Sequence, residues 1–223
     1  APADITETWL ERFVAQLALD QKTYQLNLIG GDTVMTPGPL TLSITALGRI
    51  PKGQALTRAG AKAGDRIFVS GNIGDASLGL RLLRGELESL TKTQATGLKT
   101  RFLRPEPRIA LGQALIGIAH AVTDVSDGLV ADLGHICALA RVGAQLNVSS
   151  IPLSTGASAA LDMAPDLLPN FLSFGDDYEL VFTAPAAARD ALARIASSTG
   201  VMITEIGEVV DTPGVVVLDT DGS

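Results

Sequence analysis

The sequence predicts a mixed α/β fold. Short apolar runs of strand length alternate with longer stretches of helical period, glycine-, proline- and aspartate-rich junctions separate the two, and no internal repeat or low-complexity tract breaks the alternation. With 223 residues, 46% of them hydrophobic and 18% charged, the chain can bury one large core or two modest ones.

Taken in order, Asp4 with Glu7 three residues later reads as a carboxylate capping box, and Trp9, Phe13 and Leu17 repeat at helical spacing. A first helix is expected to run to about Leu19. Tyr24 to Ile29 and Leu40 to Gly48 read as strands, the second alternating Leu40, Leu42, Ile44 and Ala46 with Thr41, Ser43 and Thr45. Between them Gly30-Gly31-Asp32-Thr33 and Pro37-Gly38-Pro39 make a loop. Residues 49–65 show no strong period, which puts a domain boundary near Pro51 and divides the chain into 1–50 and 51–223.

Beyond it, Ile67 to Ser70 reads as a strand, Gly71 to Gly74 as a turn, and Ala76 to Leu83 as a helix with Asp75 as its N-cap. Pro105 and Pro107 precede a helical stretch from Ile109 to Ala119. A short strand, Ala121 to Thr123, runs into Asp124-Val125-Ser126-Asp127-Gly128, and the following helix carries Leu129, Leu133, Ile136 and Ala140 on one face until Gly143 stops it. Ala144 to Val148, Leu180 to Thr183, Met202 to Ile206 and Val215 to Leu218 complete the strands, and Ala186 to Ser198 forms the last helix.

A net charge of -7 with 17 Lys and Arg gives no general attraction for nucleic acid or anionic lipid. No run is long and apolar enough to span a bilayer. The single cysteine, Cys137, sits in an apolar helical pattern and reads as a small buried hydrophobe, so the composition fits a reducing cytoplasm. His120 and His135 lie apart, without the spacing of a zinc site, and read as structural.

The chemistry gathers in loops. Asp32, the pair Asp124 and Asp127, and the pair Asp176 and Asp177 each sit beside glycine next to an apolar run. Mg²⁺ takes oxygen ligands, commonly one or two carboxylates with waters and substrate phosphates, so such loops meeting in one cleft suit a metal–nucleotide complex. Asp and Gly also simply make turns. Asp124 and Asp127 are the strongest pair, because a strand-to-helix junction adds exposed backbone N–H groups beside the two carboxylates. One of Ser126 or Asp127 suffices as N-cap, which favours a metal for Asp124 and leaves Asp127 open between the two tasks. Gly71-Asn72-Ile73-Gly74-Asp75 could touch a phosphate, although capping by Asp75 is the simpler reading. Arg58 could pair with a nucleotide phosphate, though a lone arginine reads as a solvated charge. Neither G-x-x-x-x-G-K-[ST] nor G-x-G-x-x-G occurs, so phosphate binding needs another fold.

Five segments in order, Leu28-Ile29-Gly30-Gly31-Asp32-Thr33, Ala55 to Asp65, Arg104-Pro105-Glu106-Pro107-Arg108, Asp124-Val125-Ser126-Asp127-Gly128-Leu129 and Gly175-Asp176-Asp177-Tyr178-Glu179-Leu180, resemble the thiamine-monophosphate kinases of the aminoimidazole-ribonucleotide-synthetase superfamily. The resemblance covers nearly the whole chain. It implies a partial N-terminal dimerisation domain, a nearly complete C-terminal α/β domain, and a homodimer when intact. It also implies Mg-assisted transfer of a phosphoryl group from ATP to thiamine monophosphate without a phosphoenzyme. Position by position it puts Gly31, Asp32, Arg58 and Ser126 at the nucleotide, Asp32, Asp124 and Asp127 at Mg²⁺, and Asp176 at the substrate, with no residue as general base.

Two positions depart from the family pattern: Asp176 stands where a Glu is usual, and Phe174 where Gly is common, so the thiamine-side pocket is expected to be reshaped. The resemblance also implies about a hundred preceding residues with further metal ligands and an aromatic substrate contact near the C-terminus. The expectation is therefore a fragment, inactive or impaired by itself. A sister enzyme of the superfamily, such as aminoimidazole ribonucleotide synthetase, selenophosphate synthetase or a hydrogenase-maturation protein, and a non-catalytic nucleotide-binding module are the alternatives.

Overall fold

The computed structural model describes residues 5–87 and 90–218. The chain divides into two compact units, Ala1–Ile50 and Pro51–Ser223.

In the first unit, helix α1 spans Glu7–Tyr24. Its N-cap is Thr6, whose hydroxyl accepts from the Trp9 amide, and Asp4 of the expected capping box lies outside the described residues. Trp9 stacks on Phe13 one turn along, ring centroids 5.3 Å apart. The helix passes Leu19 and ends where Gln25 adopts a left-handed conformation at φ 54°. The strands expected at 24–29 and 40–48 do not form: 24 belongs to α1, and the remaining residues have no ladder partner among the described residues. Alternation marks which residues would share a face, but a strand also needs a neighbour to accept its hydrogen bonds. Leu28, Ile29, Met35, Ile44 and Leu47 are consequently exposed, and Leu17, Tyr24, Leu28, Ile44 and Leu47 line an apolar groove.

The second unit is built on one six-stranded mixed sheet, order β2-β4-β1-β5-β3-β6. The strands are β1 (Arg66–Ser70), β2 (Ala121–Asp124), β3 (Gly143–Asn147), β4 (Leu180–Ala184), β5 (Ile203–Val210) and β6 (Gly214–Leu218). All pairs are antiparallel except β3 with β6. The remaining helices are α2 (Asp75–Leu83), α3 (Lys92–Leu103), α4 (Ile109–Ala114), α5 (Leu129–Ala140), α6 (Thr155–Met163), α7 (Leu168–Ser173) and α8 (Arg189–Thr199).

The central strands are buried on both faces, which is why they read as continuous apolar runs. Ile67 and Val69 face one core with Leu129, Leu133, Leu146 and Ile206. Phe68 faces the other, stacked on Phe182 at 5.4 Å and packed with Leu111, Leu115 and Leu192. A third cluster joins Leu78 and Leu82 of α2 to Leu98 of α3, Ala157 and Ala160 of α6 and Phe171 of α7.

Helices α3, α6 and α7 were not anticipated. Helix α3 nevertheless opens with a capping box between Thr91 and Gln94, and it approaches α2 so closely that a Cβ on Gly79 would lie 2.4 Å from the Leu98 carbonyl oxygen. Helix α4 is shorter than expected and gives way to a turn with Gly117 at φ 79°. Helix α5 is closed by Arg141 in the left-handed region, and Gly143 is instead the first residue of β3.

Candidate functional site

Strand β2 ends at Asp124 and α5 begins at Leu129, so residues 125–128 form a strand-to-helix junction. The N-cap is Gly128, at φ 125° and without a side-chain cap, so neither Ser126 nor Asp127 caps the helix. Asp132 does that work from inside the first turn: its Oδ2 accepts from the amides of Ser126 at 2.9 Å, Asp127 at 3.0 Å and Gly128 at 3.2 Å. A carboxylate at a helix N-terminus is favoured by the helix dipole as well as by these donors. The side chain of Asp127 is left exposed and that of Asp124 half-exposed, at 48%.

A second loop lies against this junction. The Asp176 amide donates to the Ser126 carbonyl at 3.1 Å, Tyr178 to Val125 at 2.9 Å, and Val125 to Glu179 at 2.8 Å. Gly175 permits the approach, since a Cβ there would stand 1.8 Å from the Ser126 carbonyl oxygen. Asp176 and Tyr178 both hold left-handed backbones, at φ 65° and 49°. Such conformations cost roughly 1–3 kcal/mol each and persist where the surroundings over-determine them. The Tyr178 hydroxyl donates to Asp176 Oδ1 at 3.2 Å. Its pKa is raised by partial burial first, then by Asp176, Asp124 and Asp127, all of which act on the same phenol.

Arg58 joins from the other side. Its Nε donates to Thr123 Oγ1 at 3.0 Å and a terminal nitrogen lies 4.0 Å from Asp124 Oδ1, while the Thr57 carbonyl accepts from the Val122 amide. Arg58, Asp124, Asp127 and Asp176 thus come together at the end of β2 as a patch of three carboxylates and one guanidinium, with Ser126 tied to Asp176 through its backbone carbonyl. Gly31 and Asp32 belong to the first unit, where Asp32 is exposed and its Oδ1 accepts from the Thr33 amide at 2.7 Å.

Beneath the patch lies a buried polar layer. Asp177, 2% exposed, accepts from the Gly74 amide at 2.9 Å and the Ala76 amide at 3.1 Å. Burial pushes its carboxyl up to about 7, against the pull of those two donors. Asp177 thereby engages the Gly74 amide and that of Ala76 just beyond, two of the N–H groups at the start of α2. Asp75 is the first residue of α2 with Gly74 as N-cap, not the cap itself; buried, it accepts from the Ser154 hydroxyl at 2.6 Å, and burial raises its carboxyl.

Glu179, fully buried, takes a two-pronged Arg108 at 2.7 and 2.6 Å, Arg101 at 2.8 Å and the Ser70 hydroxyl at 2.6 Å. Such a cluster holds its geometry because each charge removed from water meets an opposite one. His120 is structural, its Nδ1 lying 2.8 Å from Asp65 Oδ2. His135 is exposed, near Asp127 and Asp132. The sequence reading missed Asp132 and Arg101, and it named Asp177 among the loop carboxylates and Glu179 within the family motif without the buried bracing that both provide. An acidic residue in the first helical turn was available as a signal for Asp132, whereas Asp177 and Glu179 meet partners some seventy to a hundred positions away.

The family described as AIR synthase related protein, C-terminal domain, matches residues 62–220. The thiamine-monophosphate kinase of Salmonella typhimurium is 44% identical over 206 residues, covering 92% of this chain and 62% of the relative, so the chain spans less than two thirds of that relative's length. The crystal structure of thiamine-monophosphate kinase from Stenotrophomonas maltophilia superposes with a TM-score of 0.90 at 43% identity, covering 100% of this chain and 70% of that one. A structure described as AaThiL complexed with AMPPCP and TMP superposes at 0.79 with 28% identity, covering 100% and 67%.

Proposed function

The chain belongs to the AIR synthase related family and, within it, to the thiamine-monophosphate kinases, and on that premise we propose that it carries part of the site that phosphorylates thiamine monophosphate with ATP. The convergence of Arg58, Asp124, Ser126, Asp127 and Asp176 at the end of β2 supports this reading most directly. The relative complexed with AMPPCP and TMP supplies the class of both ligands.

In the proposed reaction an oxygen of the thiamine monophosphate phosphate bonds to the terminal phosphorus of ATP while the bond from that phosphorus to the ADP oxygen breaks. The attacking phosphate oxygen is already anionic, so the chain needs no general base, and positioning and charge neutralisation carry the rate. Arg58 pairs with a nucleotide phosphate through its guanidinium, and Ser126 hydrogen-bonds the nucleotide. Asp176 meets the thiamine side, and Gly31 and Asp32 keep the nucleotide and metal roles that the resemblance implies. The donor set of Asp124 and Asp127 fits Mg²⁺: both are oxygen ligands, both are accessible, and neither carboxylate is consumed by capping the helix. Magnesium, when bound, supplies the positive charge that offsets the facing phosphates.

The apolar groove of the first unit is proposed as part of a homodimer surface. No described helix is long and apolar enough to cross a membrane, and the proposed setting is the cytoplasm.

The test replaces the matching segment of the Salmonella relative with this chain and follows thiamine diphosphate formation from ATP and thiamine monophosphate. The chimera is expected to be active, and Asp124→Asn to lower turnover by about a hundredfold, the scale of losing one electrostatic group from such a site. A folded chimera without transfer, or an Asp124→Asn chimera with full activity, overturns the reading.

A further inference from the structure

The polar patch at the end of β2 continues onto α5, where Asp127, Asp132 and His135 each bring one potential ligand atom within 4.8 Å of the others. Asp132 and His135 are three residues apart on the helix, a spacing that stacks two side chains on one face. A second observation is independent of that proximity. Asp132 is fully buried, its Oδ2 is committed to three backbone amides, and its Oδ1 has no hydrogen-bond partner. A buried oxygen left without a donor is unfavourable, so the molecule holds one acceptor that a cation would satisfy.

We propose that Asp127, Asp132 and His135 form a binding site for a divalent first-row transition-metal cation, of the Mn²⁺ or Zn²⁺ kind. The imidazole is what separates this site from an all-oxygen Mg²⁺ site, because nitrogen ligands suit transition metals whereas Mg²⁺ and Ca²⁺ take oxygen. Asp132 is the fixed member, locked by three amides at the helix start, and Asp127 and His135 are exposed side chains free to turn towards it. Donors on one such cation sit about 2.0–2.2 Å from the metal, hence roughly 3–4 Å from each other, so a small side-chain adjustment completes the set. Three protein ligands leave open positions for water or for an anionic oxygen. The proposal shares with the kinase reading the assignment of Asp127 as a cation ligand, but its test uses the metal alone, without nucleotide or thiamine monophosphate, so the two can fail separately.

The full 223-residue chain is titrated with Zn²⁺ against a chromogenic chelator, and with Mn²⁺ under pulsed electron paramagnetic resonance, alongside His135→Ala and Asp127→Asn. Both substituted positions are exposed, and circular dichroism of each variant confirms that it folds. The wild-type chain is expected to bind one ion with nitrogen coupling from an imidazole. His135→Ala is expected to lose that coupling and to bind Zn²⁺ at least about tenfold more weakly, since even changes outside the ligand set cost that much. Asp127→Asn is expected to weaken binding while keeping the coupling. Zn²⁺ affinity unchanged in His135→Ala, bound Mn²⁺ without nitrogen coupling, or no binding by the folded wild-type chain each overturns the proposal.

Discussion

At Asp177 two forces oppose each other, and their balance sets a pH dependence. Burial disfavours the carboxylate, while the Gly74 and Ala76 amides favour it, and burial prevails to bring the group to about 7 from an ordinary value of 3.8. The native state then holds a proton that the unfolded chain releases, so between about pH 4 and pH 7 stability falls as pH rises, and it levels off above. At about 1.4 kcal/mol per pH unit the full window is worth about 4 kcal/mol. Asp177→Asn removes the titration, so the stability advantage of the wild-type chain over the variant should shrink across that window. Urea unfolding of both proteins at a series of pH values measures it, and an advantage that grows with pH shows a carboxyl held below its ordinary range. Asp177 sits next in sequence to Asp176, yet one braces the loop from beneath and the other points to the accessible patch. Sequence pattern alone does not separate them, because the difference is made by the turn at Gly74 reaching Asp177 from far away in the chain.

Between elements, the candidate site depends on two loops being held against each other, and Gly175 is the contact that permits it. Gly175→Ala would set a methyl group against the Ser126 carbonyl and force the loops apart, with a stability cost of about 1–3 kcal/mol, the usual scale of overpacking. Because Ser126 and Asp127 ride on the displaced loop and Asp124 directly precedes it at the end of β2, nucleotide binding measured by calorimetry should weaken along with thermal stability. A variant that keeps both at wild-type level shows that the loops are not coupled in this way. The same contacts explain what was legible beforehand. Strand β2, the junction and helix α5 were readable because each is a local pattern: an apolar run, polar residues at its end, then a 3.6-residue period. The segments at 24–29 and 40–48 misled because alternation says nothing about a partner strand. Helices α6 and α7 carry small or mixed faces whose burial depends on α2 and α3 packing over them, and that is information held by other elements. Asp124 and Asp127 stood out by position, whereas Asp132 lies inside a helical pattern and its bonds to the amides of residues 126–128 form only once the junction folds back onto it.

For the molecule as a whole, the two units differ in what holds them. Residues 51–223 contain every strand pairing among the described residues and every cluster of buried side chains, including the doubly covered β1 and β4. The first unit has a helix with no buried residue and several large exposed apolar side chains. Apolar burial stabilises by about 25 cal/mol per Å², so nearly all of that contribution lies in the second unit. The single tryptophan, Trp9, is in α1 and reports on the first unit alone. Denaturation should therefore give two midpoints: Trp9 fluorescence changing at lower urea, and the far-ultraviolet dichroism of the sheet unit at higher urea. Coincident transitions would show one cooperative molecule and contradict the division of stability. Protein concentration adds a further arm, because self-association through the apolar groove stabilises only the associated form. If the first unit contributes the proposed dimer surface, the Trp9 midpoint should rise with protein concentration while the midpoint of the sheet unit stays nearly fixed. A Trp9 midpoint insensitive to concentration would remove the homodimer from the proposal and leave the site at the end of β2 to be judged on its own measurements.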